Sequence, residues 1–86
     1  MSSTDGSVLL TAEQARDLHK LLSDCRHNVN NHVSLIMSAM ELVQLKPDAT
    51  PKMLKTATDQ SKKVSEEVIR FSTEFERIMQ AARSQG

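Results

Sequence analysis

Lys46-Pro47-Asp48-Ala49-Thr50-Pro51 divides the chain in two. Proline has no backbone N–H to give to a helix interior, so Pro47 ends any helix that reaches it, and Lys46 suits the negative end of that helix. Thr50 followed by Pro51 then supplies an N-cap with proline at the first helical position, the signature of a new start. A connection this short makes the flanking helices antiparallel neighbours.

Both flanks carry the matching pattern. Upstream, Leu18, Leu22, Cys25, Val29, His32, Ile36, Ala39 and Val43 alternate by four and three, the a/d stripe of a seven-residue repeat lettered a to g. Thr11 with Gln14 three residues on forms a capping box, and Leu10 stands where a hydrophobic staple begins, so the first helix is expected over about 11–46. Downstream, Leu54, Ala57, Ser61, Val64, Val68, Phe71, Phe75, Ile78 and Ala82 repeat the alternation over a second helix of about 51–82. Residues 1–10 are small and polar apart from Val8, Leu9 and Leu10 and read as a flexible arm; 83–86 read as a flexible tail.

Folding at the turn places Val43 beside Leu54, Ile36 beside Ser61, His32 beside Val64, Val29 beside Val68, Cys25 beside Phe71 and Leu22 beside Phe75. The apolar surface is wider than one seam, because Leu21, Leu35 and Leu42 occupy g and Val33 and Met40 occupy e. Two hairpins side by side would cover it, so the expected fold is all-α, an antiparallel two-helix hairpin forming a homodimeric four-helix bundle. Docking of the hairpin on another protein's helices is the other way to cover the same strip.

Composition narrows the function. An 86-residue chain is one small domain that gains from a partner. Eleven basic and eleven acidic residues cancel, and the only two aromatics are Phe, which argues against a nucleic-acid surface. The first residues lack the pattern of a signal peptide and no apolar run is long enough to span a bilayer, so a cytoplasmic protein without membrane contact is expected. The single cysteine, Cys25, falls on the stripe and reads as a small buried hydrophobe. His19, His27 and His32 are not clustered with other ligands at metal-site spacing.

The middle of the first helix, Cys25-Arg26-His27-Asn28-Val29-Asn30-Asn31-His32-Val33, is poor helix material by propensity alone. His32 falls at d, pointing inward, whereas His27 falls at f, pointing to water, where its neutral imidazole is either a nucleophile or a solvated surface group. Asn31, Ser34, Ser38 and Glu41 continue the stripe through His27, with Asn30 and Met37 at its flank. From His27 through Met40 there is no formally charged side chain in a sequence that is 26% charged, which marks a surface that another protein approaches closely.

Arg26-His27-Asn28-Val29-Asn30-Asn31, followed by Ser34-Leu35-Ile36-Met37, resembles the phosphoacceptor box of the dimerisation and histidine-phosphotransfer domain of two-component sensor histidine kinases. The likeness extends over both helices, about 11–82, and is specific over some ten residues. It implies that His27 is the phosphorylated histidine, that Val29 is the apolar position of the box, and that Asn31 places water for dephosphorylation. Two positions depart from the family's pattern. Asn28 stands where the family has an acidic residue that polarises the imidazole, and an amide cannot act as that base; His32 stands where proline loosens the helix.

The resemblance implies a phosphoacceptor and dimerisation module of a phosphorelay, exchanging a phosphoryl group between His27 and an aspartate of a response-regulator receiver domain, with Asn30, Ser34, Met37, Ser38 and Glu41 at the partner surface. Kinase activity is not expected of these residues alone: no cofactor is expected in this chain, and ATP and magnesium would enter through a separate ATP-binding kinase domain. The rival expectation is a structural dimerisation hairpin without phosphotransfer.

Overall fold

The computed structural model describes residues 8–85, so the expected arm is described only at Val8, Leu9 and Leu10, and its first seven residues and Gly86 lie outside the described residues. Helix α1 spans Ala12–Leu45, a 3₁₀ turn spans Pro47–Ala49, and α2 spans Thr50–Gln85. Two long helices joined by a short turn make an antiparallel hairpin with its longest dimension 64 Å.

Each end has a local cause. The Thr11 hydroxyl accepts from the Gln14 backbone N–H at 3.0 Å while the Gln14 side chain accepts from the Thr11 N–H at 2.9 Å, satisfying two donors that the first turn leaves open. At the other end Lys46 leaves helical geometry (φ −136°, ψ 84°), as a residue before proline must, and its N–H still closes on Leu42 O at 2.7 Å. Thr50 does not cap α2 as its sequence suggests. Its hydroxyl donates back to Pro47 O at 2.6 Å, because the 3₁₀ turn already brings that carbonyl within reach and makes Thr50 itself helical. Arg83, Ser84 and Gln85, expected in a flexible tail, continue α2; the Ser84 hydroxyl donates to Gln80 O and the Arg83 guanidinium to the Gln80 side chain.

The rotation of α2 departs from the a/d expectation. Its half-buried or buried residues include Met53, Ala57, Gln60, Val64, Glu67, Phe71, Glu74 and Ile78, which are the d and g positions. Leu54, Ser61, Val68 and Phe75, all a, are exposed, Leu54 and Val68 by about half (52% and 48%), whereas Ala82, the last a residue of the stripe, is buried as expected. The expected layers Val43/Leu54, Ile36/Ser61, Val29/Val68 and Leu22/Phe75 therefore do not enclose their α2 members. The reason is polar. Asn28 Nδ2 donates to Glu67 Oε1 at 2.9 Å and His32 Nδ1 lies 2.6 Å from Gln60 Oε1, and both bonds need the g positions turned toward α1. Among the described residues the buried ones are few, Ala39, Ile78 and Ala82, as a single pair of helices allows.

Antiparallel helices meeting in this way put the a and e rows of both on one side and the c and g rows on the other. The a/e side of α2 (Leu54, Thr58, Ser61, Ser65, Val68, Ser72, Phe75, Met79) has no charge, and on α1 only Arg26 interrupts Leu22, Val29, Val33, Ile36, Met40 and Val43. The opposite side carries Asp17, Asp24, Lys63, Glu67, Arg70, Glu74 and Arg77. A carbonyl oxygen can only accept, so the proton of the His32–Gln60 bond sits on Nδ1 of His32.

That bond predicts a non-additive pair. Gln60→Ala should lower the urea-unfolding free energy by about 1 kcal/mol at fixed protein concentration, since it leaves a half-buried donor unmet. The double change His32→Leu/Gln60→Leu should cost less than the sum of its two single changes. Strict additivity would mean that the bond does not hold the seam.

Candidate functional site

The middle of α1 displays side chains in three directions. His27 stands exposed on its back, with Asn30, Asn31, Ser34, Met37, Ser38 and Glu41 exposed around and beyond it, Met37 at 59%. His32 is half-buried on the seam, with its Nδ1 2.6 Å from Gln60 Oε1. Asn28 is half-buried and its amide is committed across the hairpin to Glu67. The structure thus separates the residues of the His27–Asn31 stretch. Asn28 serves the helix–helix contact, while His27 and Asn31, four residues apart on one helix face, share the open surface.

Helix α2 adds groups that the sequence pattern did not point to. Glu67, whose side chain is only 13% exposed, receives Asn28 and the Arg70 guanidinium on the same carboxylate oxygen. The Arg70 guanidinium and then the Asn28 amide hold the Glu67 carboxyl below its ordinary value. On α1, Asp24 Oδ2 accepts from Lys20 Nζ at 2.7 Å. That hydrogen bond holds Asp24 below the usual carboxylate range, and the positive charges of Lys20, Arg70 and protonated His27 act in the same direction. Asp24 and Arg70 are both c residues on the charged side of the hairpin, so the acid one turn before His27 also lies in the field of α2. The signal available in the sequence was the spacing Lys20–Asp24–His27, which reads as ordinary helix-surface charge until α2 is placed.

Among the described residues, no three His, Cys, Asp or Glu side chains come together as a metal-ion cluster, and no helix is long and apolar enough to cross a membrane. Cys25 is a half-buried free thiol on the seam. Comparison with known protein families, with characterised proteins and with solved structures finds no match for this chain.

The Glu67 contacts give a pH dependence with a definite sign. A carboxyl held lower in the folded state than its ordinary 4.5 contributes stability that is complete above that value and is lost as pH falls through the folded-state value. Wild-type helicity, followed by circular dichroism under fixed urea, should therefore weaken as pH drops below 4.5, and Glu67→Gln should flatten part of that decline. An identical acid profile in the variant would remove Glu67 from the groups that hold the two helices.

Proposed function

We propose that this hairpin is the dimerisation and phosphoacceptor module of a two-component phosphorelay, with His27 as the residue that carries the phosphoryl group. The observation that supports it best is His27 itself: an exposed imidazole on a long capped helix, at the start of a surface that stays free of formal charge through Met40. The chemistry asks little more of the chain. The neutral ring attacks phosphorus, and an aspartate on a receiver domain later takes the phosphoryl group; the receiver brings its own metal ion, so an open imidazole on a rigid platform is enough. Asn31, exposed one turn further on, would hold a water for hydrolysis.

The dimer of the proposal uses the a/e side. A second copy of this chain laid on Leu22, Val33, Met40, Leu54, Val68 and Phe75 would bury the part of each side chain that α1 and α2 leave open, contributing about 1 kcal/mol apiece. The back of α1 then stays clear for a receiver domain or for a separately supplied ATP-binding domain. A structural dimerisation hairpin without phosphotransfer is the second reading, and the engagement of Asn28 with Glu67 favours it, since the position next to His27 is then neither acidic nor free.

Two experiments separate these readings. Incubation with a phosphorylated receiver domain, or with an ATP-binding domain supplied in trans, should place an acid-labile, base-stable phosphate on the wild type and none on His27→Gln, with helicity unchanged. Undiminished labelling of the variant, or no labelling with any donor, would leave the structural hairpin. In sedimentation equilibrium at micromolar concentration the wild type should be a dimer, and Val68→Glu should raise the dissociation constant at least about a hundredfold by setting a charge in the apolar face. A stable wild-type monomer would contradict the bundle.

A further inference from the structure

Arg26, at e on α1, and Glu76, at b on α2, are exposed and take part in none of the ion pairs among the described residues. Ile69, also b on α2, is 62% exposed, the most exposed of the large apolar residues of that helix. The b row of a helix flanks its e row, so all three side chains border the uncharged a/e side. The other charged residues on the two b rows, Arg16, Lys55, Lys62 and Arg83, are basic, which leaves Glu76 as the only acid along that edge.

The bonds from Asn28 to Glu67 and from His32 to Gln60 set which levels of the two helices face each other. A two-fold axis parallel to the helices brings each level of α1 beside the same level of α2 in the other copy. On that alignment Ile69 of one copy stands level with His27 of the other, and Glu76 lies about five residues, roughly 8 Å, beyond Arg26 toward the open end of the hairpin. Side chains lean toward the N-terminus of their own helix, and α1 and α2 run in opposite directions, so Arg26 and Glu76 lean toward each other across that gap while Arg16 leans away. We propose that a second copy of this chain is seated through these groups: the Arg26 guanidinium of each copy donates to the Glu76 carboxylate of the other, and Ile69 packs against the Arg26 stem and Asn30. His27 follows Arg26 on the f row, next to b, so α2 of the second copy forms one edge of the surface that carries the imidazole. This seating rests on the dimer reading and holds whether or not His27 carries a phosphoryl group.

Exchanging the charges tests the pairing between chains. At low salt, sedimentation equilibrium of the full chain should show Arg26→Glu and Glu76→Arg each with a dimer dissociation constant raised at least about fivefold, since either change makes both contacts of the dimer repulsive. An equimolar mixture of the two variants should recover the wild-type affinity, because in the mixed dimer both contacts again join opposite charges. High salt should shrink these differences. Ile69→Ser should raise the constant at least about tenfold at either salt by removing apolar area from two contacts. All three substitutions fall at exposed positions of the hairpin, and circular dichroism tells whether its helicity is kept. Variants that dimerise as the wild type does, or a mixture no tighter than its components, overturn the seating and leave the a/e dimer in place. A monomeric wild type overturns the dimer itself, and the seating with it.

Discussion

Two helices alone can each bury only one stripe, and the polar bonds across this hairpin decide which stripe α2 uses. Glu67 and Gln60 reach Asn28 and His32 only when the g row of α2 turns toward α1. An unmet polar group in the seam would cost more than the apolar area lost by turning Leu54, Val68 and Phe75 outward, because a half-wet Leu or Phe still keeps part of its burial whereas an unpaired donor keeps nothing. The seam is therefore mixed, with Ala57, Val64, Phe71 and Ile78 alternating with polar members, and the apolar a row is displaced onto one side of the molecule.

The displacement gives the hairpin two unlike sides and a back. One side is nearly free of charge and suits a second copy of the same surface around a two-fold axis. The other carries the Glu67–Arg70 and Glu74–Arg77 pairs and Asp24, which favour water over a partner's apolar stripe. His27 lies on the back of α1, toward the charged side. A dimer built on the uncharged side leaves His27 free, and charge from α2 reaches its neighbour Asp24. In the proposed dimer, the contact between copies and access to the imidazole fall on different surfaces of one small chain.

Much of this was legible in the sequence. Pro47 and Pro51 fix the turn, Thr11 and Gln14 fix the start of α1, and the four-three spacing fixes two helices and the outward direction of His27. The rotation of α2 was not legible, since a heptad pattern assigns apolar a residues to the seam and polar g residues to water. It has no knowledge that Gln60 and Glu67 will find His32 and Asn28 across the gap. For the same reason the contact of Asn28 with Glu67, and the Arg70 that shares that carboxylate, were not legible. Thr50 was misassigned because a 3₁₀ turn, which has no period to detect in three residues, makes it the first helical residue instead of the cap.

The central claim is that the uncharged side meets a second copy while the back of α1 stays open. An isotope-filtered nuclear Overhauser measurement on an equimolar mixture of ¹³C-labelled and unlabelled chains tests it most directly. The account predicts intermolecular contacts from Leu54, Val68 and Phe75 to side chains such as Leu22, Val33 and Met40, and none from Asn31, Ser34 or Ser38. Intermolecular contacts centred on Leu35 and Leu42 beside the charged side, or on the His27 stripe itself, would contradict it.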